Sequence, residues 1–151
     1  MPSPTTLKVG IGGLGAVGLS VARRLMEGMD GLELRAVSVR DEEKARRALP
    51  GVSASFVPPE RLADDCDVVV ECLPPAQFRV VGEAAIAKGR IFMPLSVGQL
   101  LDNWDLVDAA RASGARILVP SGAILGIDAV RAAAEGTIHS VTMVTRKPPK
   151  G

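Results

Sequence analysis

Six consecutive residues, Gly13-Leu14-Gly15-Ala16-Val17-Gly18, carry the chemistry that is read most directly from this chain. Their glycines stand at the spacing GxGxxG, and each answers a different steric demand. Gly13 permits a tight turn out of a strand. Gly15 has no side chain, so backbone can approach phosphate oxygens closely. Gly18 lets the following helix pack against the strand. Unpaired N–H groups at the helix start, together with the helix dipole, then favour a pyrophosphate. Similar turns serve S-adenosylmethionine sites, and some bind no ligand. Here the context favours a dinucleotide: the apolar run Lys8-Val9-Gly10-Ile11 precedes the turn, an amphipathic helix follows, and a second apolar run comes after it at residues 32–39.

The end of that second run is where such a site reads the adenosine ribose. An NAD site usually places Asp or Glu there to accept from the 2′-hydroxyl. This chain reads Ser38-Val39-Arg40-Asp41 instead. Arg40 falls about 20 residues beyond Gly18, the spacing of the fingerprint, and a guanidinium suits a 2′-phosphate. Ser38 could add a hydroxyl. NADP is therefore expected to be tolerated or preferred. Two other readings stay open: Asp41 takes the acidic role while Arg40 stacks on adenine, or Asp41 caps the next helix.

Other residues with reactive side chains give weaker signals. Glu71 ends an apolar run, where a buried carboxylate could serve as a base; hydrogen bonding to loop N–H groups is the more ordinary use. Cys72 has no His or Lys beside it in sequence to activate it. His139 is the only histidine and sits in an expected strand, where such a residue is usually structural. No metal-ligand cluster is evident.

Stepping outward, strands must alternate with helices to position these groups. The first helix should bury a stripe at Val17, Val21 and Leu25 and end near Gly28 and Gly31. Beyond it the pattern predicts helices at residues 41–49, 77–87 and 102–113, strands at 52–57, 67–72, 91–97 and 115–120, and a turn or short helix from Pro58. The fold class expected is α/β, a doubly wound parallel sheet of Rossmann type. Ligands of such sheets lie beyond the carboxyl ends of the strands. That rule selects residues 71–75, 95–99 and 121–124 as site segments, with Pro74 and Pro75 stiffening the first. After Ala123 a helix at 126–134 and a strand at 137–146 read as the start of a second α/β domain whose remainder is absent, giving domains at 1–122 and 123–151.

Composition narrows the partners. The 151 residues are 47% hydrophobic with a net charge of +1, and no long basic run marks a nucleic-acid or anionic-membrane surface. No apolar stretch approaches the ~20 residues of a membrane span, and the first residues do not have the form of a signal peptide. Two cysteines are too few for a disulfide framework. A cytoplasmic protein acting on a small molecule is expected.

At the segments 10–18, 94–103, 119–133 and 140–149 the chain resembles the L-aspartate dehydrogenase family. The motif VPSGAILGIDAVRAA, with SVTMVTRKPP, carries most of that likeness, and homoserine dehydrogenase-like proteins match these two segments poorly. The resemblance covers nearly all of this chain but only the N-terminal part of the family's length. It implies oxidation of L-aspartate by NAD(P)+ to iminoaspartate, which hydrolyses to oxaloacetate and ammonia, as a supply for NAD biosynthesis. It implies that Gly13, Gly15, Ala16 and Val17 meet the pyrophosphate, Arg40 the ribose end, Cys72, Leu73 and Pro74 the cofactor cleft, and Ala123 the nicotinamide side. The expected strand at 137–146 presents unpaired edges, which invite pairing with another chain, and the resemblance implies a dimer interface in the second domain, so a homodimer or domain-swapped contact is expected. The family's catalytic histidine has no counterpart in this chain, so catalytic residues stay unassigned. A dinucleotide-binding module without catalysis, or the cofactor domain of another amino-acid dehydrogenase such as homoserine dehydrogenase, are the alternatives.

Overall fold

Crossovers outward from central strands decide the architecture. The computed structural model describes residues 6–122, 124 and 126–146. These contain β1 (Leu7–Gly12), α1 (Ala16–Met26), β2 (Leu32–Ser38), α2 (Glu42–Ala48), β3 (Ser55–Phe56), β4 (Val68–Glu71), α3 (Phe78–Ala87), β5 (Ile91–Pro94), α4 (Gln99–Asp102), α5 (Asp105–Ser113), β6 (Arg116–Ile117) and α6 (Ile127–Ala133). The six strands form one sheet in the order β3-β2-β1-β4-β5-β6, with every pair parallel. The chain moves one way from β1 and then the other way from β4. The order therefore reverses between β1 and β4, and a crevice opens there at the carboxyl ends.

Two compact units are present, Met1–Pro120 and Ser121–Gly151. The sheet belongs to the first. Its central strands are apolar on both faces, as strands covered by helices must be: Ile11, Val37, Val69 and Phe92 are all fully buried. On one face α3 and α5 pack Phe78, Val81, Leu106 and Ala110 onto Val69 and Phe92. Phe78 meets Phe92 edge-to-face at 5.7 Å, a favoured ring geometry. Each such buried side chain contributes about 1.5–3 kcal/mol. The other face packs α1 and Leu49 against β1 and β4. Beside α1 it leaves an apolar groove of about 530 Å³ along Val68, Val70, Ile91, Met93 and Leu118.

Several elements differ from the sequence expectation for identifiable reasons. The buried stripe of α1 is Gly18, Ala22 and Leu25, while Val17 is 52% exposed. Close packing of Gly18 turns the helix so that its small residues face the sheet. The strand expected at 52–57 is only Ser55–Phe56, and that at 115–120 only Arg116–Ile117, because each pairs on one side only. β5 stops at Pro94. Its missing N–H falls beyond the last β5–β6 pair, Phe92↔Ile117, so no ladder bond is lost. The helix expected at 102–113 begins only at Asp105, and a separate short helix, α4, precedes it; between them Asn103 leaves helical geometry and donates from Nδ2 to the Gln99 carbonyl at 2.8 Å.

In the second unit α6 starts after Gly126, which takes φ +76°. The strand expected at 137–146 does not form: these residues are exposed and take no regular secondary structure, and a strand needs a neighbour to complete its ladder. No helix of the described residues is long and apolar enough to cross a membrane.

Candidate functional site

The turn between β1 and α1 is built by steric exclusion. Gly13 takes φ +88°, a conformation open to glycine at little cost. A Cβ there would collide with the carbonyl oxygen of Cys72, and one on Gly18 would collide with the carbonyl oxygen of Gly13. The Gly13 N–H is held by the Ser38 carbonyl at 2.8 Å. Gly15 is the opposite case. A Cβ there would meet nothing within 4 Å, so the space above it is open to a ligand rather than filled by the protein. It is also the N-cap of α1 and supplies no capping side chain.

The first intrahelical bond runs from the Leu19 N–H to the Gly15 carbonyl at 3.0 Å. The N–H groups of Ala16 and Val17 precede it and are left for an outside acceptor. Both residues are exposed, and the first turn of α1 carries no acidic residue to repel an anion. An open glycine shelf, free amides and the positive end of an eleven-residue helix fit a pyrophosphate.

At the neighbouring strand end, Ser38 is only 2% exposed, so it is part of the wall. Asp41 caps α2, its Oδ1 accepting from the Lys44 N–H at 2.9 Å. Arg40 is exposed, and its side chain makes no ion pair or hydrogen bond among the described residues. Arg46, by contrast, lies over the Phe56 ring at 4.2 Å and pairs with Glu42 at 3.7 Å.

Across the crevice, the Cys72 N–H donates to the Gly12 carbonyl at 2.7 Å, and the Leu73 side chain packs against Gly12, where a Cβ would stand 2.8 Å from Leu73 Cδ1. Pro74 is exposed, and its carbonyl accepts from Gln77 at 2.9 Å, turning the chain into α3. Burial first, and the neighbouring Glu71 charge second, push the Cys72 thiol up to about 11. It is a neutral thiol near pH 7 and not an activated nucleophile.

Beneath these loops lies Glu71, fully buried. Its Oε1 accepts from the Leu73 N–H at 2.8 Å and from Ser96 Oγ at 3.2 Å, and its Oε2 accepts from the Ser96 N–H at 3.1 Å. The Leu95 N–H adds a bond to the Glu71 carbonyl at 2.9 Å. One side chain thus ties the loop after β4 to the loop after β5. This use of both oxygens as acceptors argues against a proton-transferring base. Sequence reading marked Ser96 only as a small residue. The signal it held was a hydroxyl just past a strand that pairs with one ending in Glu.

The structure therefore brings Gly13, Gly15, Ala16, Val17, Cys72, Leu73 and Pro74 to one crevice, with Arg40 at the adjoining end of the sheet. Ala123 lies outside the described residues. Ser121, Gly122 and Ile124 belong to the second unit, as does His139, exposed in a segment without regular secondary structure. Among the described residues no group of three or more His, Cys, Asp or Glu could hold a metal ion.

Comparison with known proteins agrees with this geometry. The family described as "Homoserine dehydrogenase, NAD binding domain" matches residues 13–120. An L-aspartate dehydrogenase of Bradyrhizobium diazoefficiens is 50% identical over 147 residues, covering 96% of this chain and 52% of that relative. L-aspartate dehydrogenase 3 of Bordetella bronchiseptica is 43% identical over 162 residues, covering 100% of this chain and 57% of the relative. Among solved structures, aspartate dehydrogenase from Thermotoga maritima shares the fold with a TM-score of 0.60 at 22% identity, over 85% of this chain and 52% of that one. The chain spans about half the length of the curated relatives it matches.

Proposed function

This chain belongs to the family of the homoserine dehydrogenase NAD-binding domain, and from that membership we propose that it is the cofactor-binding half of an NAD(P)-dependent L-aspartate dehydrogenase. The observation that carries the substrate is the 50% identity with an L-aspartate dehydrogenase along 96% of the chain. Within the longer protein, residues 123–151 open the second domain, which supplies substrate contacts and acid–base residues.

In that reading L-aspartate loses a hydride from its α-carbon and a proton from its amino group, giving iminoaspartate, which water converts to oxaloacetate and ammonia. Bound NAD(P)+ would supply the hydride acceptor. What this chain's residues do is bind and orient. Gly13 and Gly18 hold the turn, Gly15 leaves room for the phosphates, and the Ala16 and Val17 amides donate to them. Cys72, Leu73 and Pro74 form the wall toward the ring end; the family likeness alone assigns Ala123 to the nicotinamide side. Arg40 pairs with the adenosine 2′-phosphate of NADP. Its lack of a partner among the described residues and the engagement of Asp41 Oδ1 in the α2 cap support that assignment over an acidic contact by Asp41. A homodimer is carried by the family likeness alone, and light scattering of the longer protein tests it.

Titration calorimetry of the 151-residue chain with NADPH and NADH tests the cofactor half. Saturable binding in the micromolar range, about −8 kcal/mol, is the expected result, and no binding of either would refute it. Aspartate-dependent NAD(P)H formation by the longer protein tests the substrate, with homoserine as the competing one.

A further inference from the structure

Glu71 combines three properties that its clamping of two loops does not require. It is fully buried. Both of its carboxyl oxygens accept, from Leu73 N–H, Ser96 N–H and Ser96 Oγ, an arrangement that suits the carboxylate. And among the described residues no Lys, Arg or His pairs with it, whereas Asp64, Asp65, Asp67 and Asp105 all have cationic partners. A buried charge normally requires compensation. The neighbouring thiol cannot supply it; the Glu71 charge instead helps hold Cys72 protonated.

Its place in the sheet indicates what can. Glu71 stands in register with Gly12 of β1 and with Pro94 of β5, at the crevice where strand order reverses. A dinucleotide anchored at Gly15 extends its ring end across the loops that Glu71 ties down. That ring carries a positive charge when oxidised and none when reduced. Resting on the cofactor reading above, we infer that Glu71 is a positioning residue whose buried carboxylate also favours the oxidised cofactor over the reduced one. Loop positioning alone would affect both redox forms alike; the charge acts on one.

The test is calorimetric affinity for NADP+ and NADPH, measured on the 151-residue chain and on Glu71→Gln. Ser96→Ala serves as a control that removes one hydrogen bond but keeps the charge. At an effective dielectric near 20, a unit charge as far as about 12 Å from the ring still shifts the ratio of the two affinities by about tenfold. Glu71→Gln should therefore weaken NADP+ about tenfold more than NADPH, while Ser96→Ala leaves the ratio unchanged. Equal weakening of both forms by Glu71→Gln would overturn the inference and leave Glu71 as a loop clamp only. If wild type binds neither form, the cofactor reading itself fails and this inference with it. If Glu71→Gln does not fold, the wild-type ratio decides: NADP+ bound at least as tightly as NADPH supports the inference, and NADPH bound more tightly overturns it.

Discussion

Gly18 and Gly13 are in backbone contact across the first turn: a Cβ added to Gly18 would collide with the Gly13 carbonyl oxygen and lie 3.3 Å from Cys72 Cβ. The helix that presents its amides to the crevice is thereby seated on the strand it follows. Gly18→Ala should destabilise the chain by about 1–3 kcal/mol, the usual cost of overpacking, read as a fall in the midpoint of urea unfolding. Gly15→Ala is the informative contrast. Nothing lies within 4 Å of its Cβ and its φ is −73°, so only the N-cap preference for glycine over alanine is lost and stability should fall by about 0.5–1 kcal/mol. NADPH affinity should still fall by about tenfold or more, because the methyl occupies the space that phosphate needs. Unchanged affinity in Gly15→Ala would place the pyrophosphate elsewhere.

Cofactor discrimination should rest on Arg40. A charge-assisted hydrogen bond is worth about 1.5–3 kcal/mol, so Arg40→Ala should weaken NADPH by about 10- to 100-fold and leave NADH nearly unchanged. Calorimetry with both cofactors reads this directly. Equal effects on the two would remove the 2′-phosphate from Arg40.

The thiols should be quiet at neutral pH. Burial is the main cause that pushes both Cys66 and Cys72 up to about 11. Only the thiolate reacts, and at pH 8 such a thiol is about one part in a thousand ionised. Labelling of the native chain by a disulfide reagent should be slow at about pH 8 and quicken about tenfold per pH unit toward pH 10. Rapid stoichiometric labelling at pH 7 would show that Cys72 is activated.

Acid should loosen the N-terminal edge of β1. Asp65 bonds Lys8 Nζ at 2.7 Å and also Arg35, and these bonds hold its carboxyl below the ordinary carboxylate range. A carboxyl depressed in the folded state stabilises fully above its unfolded value, near 3.9, and loses that contribution as pH falls through the folded value. Asp65 is half exposed, so solvent screens the effect. The melting temperature of wild type should therefore fall modestly below about pH 4, and Asp65→Asn should flatten that fall. A wild-type curve already flat to about pH 2 would deny the pair a role.

Much of this site was legible because glycine spacing states a steric need that does not depend on distant residues. Gly13, Gly15 and Gly18 each answer to the local path of the backbone, so the turn, the helix start and the open phosphate shelf follow from six letters. The β-branched run at 68–70 likewise marks a strand covered on both faces, and the alternation of strands with helices gives the parallel sheet. Asp41 was legible only as a choice between a ribose contact and a cap, and the capping bond to Lys44 was decided by the fold. Tertiary structure also turned the α1 stripe away from Val17, because helix packing is set by the smallest residue at the contact. It shortened β3 and β6, whose lengths depend on a neighbour. Above all it joined Glu71 to Ser96, 25 positions apart. No local pattern encodes that bond; it exists because β4 and β5 run parallel and end side by side.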